Sequence, residues 1–310
     1  MRQELGNLNE KRVRNRLNRK DNITLSVMLI PAAVLFTLFS YLPMFGVIMA
    51  FKDYRYSDGI FGSPWVGLNN FKYFFLSNDV WILIRNTLGY NLMFIVMGVI
   101  TGVIVALALY EVRYKFMTKY FQTTFILPNF MSWVVVAYIF YAFLDPVYGF
   151  LNNALGMDVS WYSTPKYWPF ILLIAHVWKH IGMGSVMYYA ALMGIDASVF
   201  EAAKIDGANK LQQIRYISIP ELRTIIAINV IMGVGNIFRG DFGLFYQVPM
   251  DVGNLYAVTD VIDTYIYRGL RTGNLSVNAA VGLIQSVVGL ITVFLANAVV
   301  RKIDSDCAMF

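Results

Sequence analysis

Five residues set in apolar stretches of this chain carry side chains that could do chemistry there: His176, Lys179, His180, Arg239 and Asp241. His176 and His180 are four apart, so on a helix they share one face and make a candidate metal pair. No HExxH glutamate accompanies them, and no third ligand lies nearby in sequence. The expectation is two interior histidines in hydrogen-bonding or pathway roles, with no metal and no catalytic group. Lys179 falls near the middle of its stretch, while Arg239 and Asp241 fall toward the outer end of the next. A charge at the centre of a membrane helix costs about 2.5 to 3.5 kcal/mol even on the lower scales, so each needs a reason to be there. For Arg239 and Asp241 mutual pairing or snorkelling is one such reason. Lys179 has no acidic residue in its own stretch, so its partner is another helix, a water-filled cavity or a ligand.

The elements that position these groups follow from composition. Of 310 residues, 58% are hydrophobic and 14% charged, which exceeds what a soluble globular chain needs and points to an all-α polytopic membrane protein. A span needs about 20 mostly apolar residues. Six stretches qualify, at roughly 24–50, 86–110, 121–143, 169–191, 224–246 and 276–300. Pro31 and Pro43 are expected to break helical bonding in the first of them, most plausibly at a kink. Lys and Arg concentrate before the first span, in 111–120, around 194–222 and after the last span, which predicts both termini inside. The chain then divides into a basic cytoplasmic segment 1–23, a six-helix transmembrane domain 24–300 and a cytoplasmic tail 301–310. The net charge of +6 owes much to Arg2, Lys11, Arg12, Arg14, Arg16, Arg19 and Lys20, a membrane-surface anchor rather than a nucleic-acid site. No cleavable signal peptide is expected, because the apolar run after this segment is far longer than an h-region. Cys307 is the one cysteine, which excludes a disulfide framework and a cysteine-rich metal site. The pairs Gly182/Gly184 and Gly233/Gly235 lack the third glycine and preceding strand of a dinucleotide fingerprint, and are expected to allow close helix packing. No GxxxxGK[ST] phosphate loop occurs.

Between the fourth and fifth spans lies a soluble, helix-forming loop, 194–222. Its first helix can start at Asp196 or Ser198, with Ser198 and Glu201 spaced as a capping box. Gly207 supplies a left-handed stop, Asn209 and Gln212 can cap a second short helix, and Pro220 is expected to end it. Its exposed face reads as small and polar, suited to docking. Glu201, Ala202, Ala203, Gly207, Ile217 and Pro220 stand in the register E-A-A, three residues, G, nine residues, I, one residue, then a residue and P. This resembles the EAA loop of transmembrane subunits of ATP-binding-cassette (ABC) importers, with Ile219 where the family usually has leucine. The wording IDGAN, which includes Asp206, looks most like the carbohydrate-uptake branch.

The resemblance implies a type I ABC importer permease fold in a bacterial cell membrane. Glu201, Ala202, Ala203, Asp206, Gly207, Ile217 and Pro220 would then dock on a cytoplasmic ATPase, and the last five helices would wall the pathway. ATP and Mg would be held by two separate ATPase subunits, with no cofactor in this chain. A second, homologous permease would complete a heterodimer, and an extracellular binding protein would deliver the substrate. The outer loop, aromatic from Phe51 to Trp81, contains the string Trp65 to Phe71, similar to a phrase in sugar-importer permeases, and reads as a cap with a short helix. The stretches Asp241–Tyr246 and Val248–Leu270 resemble the subgroup for complex polysaccharides and larger oligosaccharides. Trp178, Tyr188, Asn236 and Gln285 are candidates to line a sugar path, and Lys179 and Arg239 raise an anionic, uronate-type substrate. The alternatives are a secondary transporter or channel, whose inverted repeat of broken helices is not seen, and a membrane enzyme, whose clustered catalytic carboxylates or histidines are not seen either.

Overall fold

The computed structural model describes residues 24–303, so the basic segment 1–23 and most of the tail, Cys307 included, lie outside the described residues. Helices dominate, and among the described residues the β-structure is one isolated bridge between Lys52 and Trp65. In chain order the main helices are α1 (Thr24–Phe51), α2 (Asn69–Leu76), α3 (Asp79–Tyr110), α4 (Lys115–Phe130), α5 (Trp133–Leu144), α6 (Pro165–Met193), α7 (Ala197–Ile205), α8 (Lys210–Gly235), α9 (Phe242–Gln247), α10 (Ile262–Arg271) and α11 (Leu275–Ile303). Five are long and apolar enough to cross a bilayer, and α4 with α5 makes a sixth span if the bent pair is counted as one.

That pair corrects the expectation of an unbroken third span at 121–143. The chain turns through 101° between Phe130 and Trp133. Pro128 sits at the second position of the short 3-10 turn Leu127–Phe130 that closes α4, and Ser132 opens α5 by accepting the Val135 N–H at 3.3 Å. A proline followed four residues later by an N-cap serine is a stop and a start.

Two other prolines do the opposite. A π-helical turn, Thr37–Tyr41, precedes Pro43, and another, Ile214–Ser218, precedes Pro220. In each the N–H of the next residue reaches back five positions, Leu42 to Thr37 and Ile219 to Ile214, and the proline follows at once. The wider turn absorbs the proline's missing N–H and its ring, so the chain stays helical through both. Pro220 therefore does not end the second helix of the loop; that helix runs on as the fifth span, 26 residues from Lys210 to Gly235. The fifth span also stops earlier than 246, because Asn236 terminates α8 and Asp241 caps the separate helix α9.

The main core gathers Tyr90 and Phe94 of α3, Val136 of α5, Leu172 of α6 and Leu244 and Phe245 of α9. Close approach is bought by glycine at Gly182, where a Cβ would overlap the Phe125 carbonyl, and at Gly243, where it would overlap the Trp133 ring. In the expected pair Gly182/Gly184, only Gly182 has this packing role, since a Cβ at Gly184 meets nothing within 4 Å. At the end of the bundle away from α7, α2 is the short helix expected in the aromatic loop. It is pinned by Asn70, whose amide donates to the Ala50 and Lys52 carbonyls at 2.9 Å. Nearby, Arg268 bonds Asp260 and Asp251 and lies 4.0 Å above the Tyr256 ring.

Candidate functional site

A cavity of about 410 Å³ lies between α3, α6 and α8, with one wall contributed by Asn129 at the break. Its polar lining comes from Asn91, Thr101, Asn129, Tyr188, Asn229 and Asn236, together with His176 and His180. None of these groups carries a fixed charge, and the space between them is faced by aliphatic and glycine residues such as Ile95, Gly98, Val99 and Gly184. Hydroxyls and amides set in apolar walls suit a hydroxyl-rich ligand that must bind without being trapped. Asn91, Asn229 and Asn236 each donate to the carbonyl four residues back on their own helix, which satisfies the amide N–H while the helix stays intact.

The residues singled out from sequence divide. Tyr188, only 2% exposed, and Asn236 line the cavity, as do both histidines. Trp178 does not: it packs against the main core, edge-on to Phe140. Gln285 is a latch, donating to the Phe238 carbonyl at 2.7 Å and to Asp263 at 3.1 Å. Of the partners left open for Lys179 the structure supplies another helix, which takes this residue out of the candidate pathway lining. It is 5% exposed and its ammonium donates to three backbone carbonyls, Pro128 at 3.2 Å, Asn129 at 3.0 Å and Met131 at 2.5 Å, with the Trp133 ring 5.2 Å away. An ammonium has three protons, and all three go to the carbonyls freed where the third span breaks. This lysine holds the break and has no donor left for a substrate.

Arg239 and Asp241 do not pair. Arg239 is exposed and forms no salt bridge among the described residues. Asp241 accepts the Leu244 N–H through Oδ1 and faces His180 through Oδ2, 4.0 Å from Nε2. Asp241 is thus the third candidate ligand that the sequence around the histidines lacked: one donor atom from each of His176, His180 and Asp241 lies within 4.8 Å of the others.

The second site is the helix pair at the far end of α6. Asp196, not Ser198, is the N-cap of α7, accepting the Ser198 N–H at 2.9 Å, so the Ser198/Glu201 capping box does not form. Those bonds from the Ser198 backbone and hydroxyl favour the ionised form and hold the Asp196 carboxyl below the usual carboxylate range. Gly207 has φ of +80°; its N–H bonds the Lys204 carbonyl while Ala208 bonds that of Ala203, the paired bonds of a Schellman stop. The Asn209/Gln212 capping box is present, with bonds of 2.9 and 2.8 Å. Lys210 bonds both carboxylate oxygens of Glu111 and ties the loop to the end of α3. Glu201, Ala202, Asp206, Gly207 and Pro220 are exposed, with Ala203 and Ile217 half-buried. The face is not only small and polar: Ile205 is 87% and Leu211 75% exposed. Both sit beside turn residues, where the sequence alone gives no core for them to enter.

Residues 98–305 match the family described as binding-protein-dependent transport system inner membrane component. The chain belongs to this family. Among its relatives, Protein LplB of Bacillus subtilis is 34% identical, covering 91% of this chain and 90% of that protein. The polygalacturonan/rhamnogalacturonan transport system permease protein YteP of the same organism is 32% identical over 96% and 94% of the two chains. Among solved structures, a bacterial ABC transporter involved in the import of the acidic polysaccharide alginate superimposes with a TM-score of 0.83 at 33% identity, covering 92% of this chain and 97% of that one. A bacterial alginate ABC transporter in complex with alginate pentasaccharide-bound periplasmic protein gives 0.82 at 32% identity. The protein is accordingly a multi-pass membrane permease of the ABC importer type, in which the six-span, all-helical architecture expected from the sequence is that of the family.

Proposed function

We propose that this permease forms half of the path by which an acidic, uronate-type oligosaccharide enters the cell. Its partners in this reading are a second, homologous permease, a binding protein on the outside and two ATPase subunits that hold ATP and Mg and dock on residues 194–222. Orientation follows: the loop and both termini face the cytoplasm. Transport is by alternating access, with the two permeases rocking about the cavity as the ATPases close and reset. The observation that carries the docking role is the Schellman-stopped helix pair, which presents Glu201, Ala202, Ile205 and Leu211 to solvent on a frame fixed by Gly207, Asn209 and Gln212.

The substrate class rests on two supports. YteP and the alginate transporter are both named for acidic or uronate-containing polysaccharides. Arg239, three residues beyond the cavity-lining Asn236, is exposed and forms no salt bridge among the described residues, so its guanidinium is available to a carboxylate. Lys179 no longer contributes to this reading. Reconstituted transporter supplied with its binding protein is expected to take up uronate oligosaccharides in preference to matched neutral ones, and Arg239→Gln to lower uronate uptake. Preference for the neutral sugar would overturn the substrate class and leave the docking role standing. ATP-driven uptake in the absence of a second permease would overturn the heterodimer.

A further inference from the structure

We propose that His176, His180 and Asp241 bind one divalent transition-metal cation, of the Zn2+ or Co2+ kind, on the cavity wall. Two imidazoles and one carboxylate are the donor set for such ions, and they leave coordination positions open.

The geometry of each donor supports this separately. His180 Nδ1 is 3.1 Å from Asn129 Oδ1. An amide oxygen only accepts, so Nδ1 carries a proton, and in the neutral ring Nε2 then carries the lone pair, the arrangement by which a second ligand shell fixes a metal-binding histidine. Nε2 is the atom that faces Asp241 Oδ2 at 4.0 Å. A lone pair and a carboxylate oxygen so placed gain nothing from each other, and a cation between them bonds both. Asp241 divides its oxygens: Oδ1 takes the Leu244 N–H, and Oδ2 faces the His180 ring. His176 brings an imidazole whose ring is stacked on Phe94, centroids 3.8 Å apart and planes at 7°, and whose Nδ1 is buried with no hydrogen-bond partner among the described residues. Buried polar atoms of this kind are rare and ask for an explanation.

The donor atoms lie within 4.8 Å of one another. Bonds of about 2.0 to 2.2 Å put tetrahedral ligand atoms about 3.3 to 3.6 Å apart, so the three close inward by about 1 Å on binding, a movement within reach of side-chain rotation. Lys179, next in sequence to His180, directs its protons to the carbonyls of the break. Since both histidines line the cavity, the open position faces it. The ion would join α6 to the turn before α9 and set a positive charge beside the path. The inference does not depend on which sugar is carried.

The test uses the whole transporter with its partner subunits in lipid nanodiscs, purified without a polyhistidine tag and stripped with chelator. Titration with Co2+, followed by visible d–d absorption, and with Zn2+, followed by calorimetry, is expected to show one cation per copy of this chain. His176→Gln and Asp241→Asn should each weaken binding by more than tenfold, and Asn129→Ala by about 10- to 100-fold through the freed His180 ring. Asp241→Asn is the variant expected to stay folded, because asparagine caps a helix as well as aspartate does. Zn2+ should raise the melting temperature of the parent and not of the His176→Gln, Asp241→Asn double variant. No cation bound by the parent, or binding equal in parent and variants, overturns the site.

Discussion

Two of the prolines set inside apolar helices of this chain, Pro128 and Pro220, end differently. At Pro128 the third span breaks and turns through 101°, while at Pro220 the helix continues for 26 residues from Lys210 into the fifth span. The difference lies in what becomes of the backbone groups the proline disturbs. Around Pro128 the freed carbonyls of Pro128, Asn129 and Met131 are taken by Lys179 from α6, and the orphan N–H of Val135 is taken by Ser132. Around Pro220 a five-residue π turn re-pairs the backbone within its own helix, and no outside donor is called for. A membrane helix can break only where another element supplies hydrogen bonds, because the bilayer supplies none.

The largest effect that tests this contrast is expected from Lys179→Met. Removing the ammonium strands the Asn129 and Met131 carbonyls and leaves that of Pro128 with the Met131 N–H alone, a loss on the order of 2 kcal/mol or more, since each unsatisfied group costs about 1 to 3 kcal/mol. The detergent-solubilised permease should melt at a clearly lower temperature by fluorescence-detected size exclusion. A variant as stable as the parent that instead loses substrate affinity would return Lys179 to the pathway. Gly182→Ala is next, at about 1 to 3 kcal/mol, because a methyl there collides with backbone of α4 just before the break. Gly184→Ala, two residues on, should be nearly silent in the same melt, and equal losses at the two would remove the packing argument.

On the other side of the comparison, Gly207→Val forces a branched residue to φ near +80° at a cost of about 1 to 2 kcal/mol. Membrane insertion should persist while ATP hydrolysis uncouples from uptake; a variant that couples as the parent does would detach the helix pair from its docking role. Ser132→Ala should cost about 1 kcal/mol as the N-cap of the half-span after the break. Pro220→Ala should change stability least, by about 0.4 to 1 kcal/mol through the unfolded chain, with the helix intact by hydrogen exchange. If Pro220→Ala proved as damaging as Lys179→Met, the π turn would not be what keeps that helix whole. Acidification gives a further distinction. Asp196, its pKa depressed, adds stability to α7 that is present above the ordinary aspartate range and fades as pH falls through the lowered value. Asp196→Asn should keep the cap and flatten that dependence.

Much of the candidate site was open to reading because its signals are local. The stop at Gly207 and the Asn209/Gln212 box each depend on residues within a few positions of one another, and they form as the spacing predicts, whereas Pro220 does not end its helix. The Ser198/Glu201 box failed for an equally local reason: Asp196 lies two residues nearer the incoming chain and captured the N-terminus first. Pro128 and Ser132 carried a readable signal for the break, a proline and an N-cap four residues apart, that the strong apolarity of 121–143 masked. Asn91, Thr101, Asn129 and Asn229 went unremarked because a neutral polar residue within a span does not reveal which way it faces.

By itself the sequence determined the membrane class and the stop and second cap of the helix pair, since hydropathy and capping are properties of a continuous stretch of chain. Tertiary structure alone decided the partner of Lys179, the use of Asp241 and the composition of the cavity. Lys179 answers to backbone carbonyls, which have no side-chain signature, and Asp241 meets His180 only because α9 folds back against α6. Where long-range packing brings charges and lone pairs together, their roles are set by the three-dimensional neighbourhood rather than by their order along the chain.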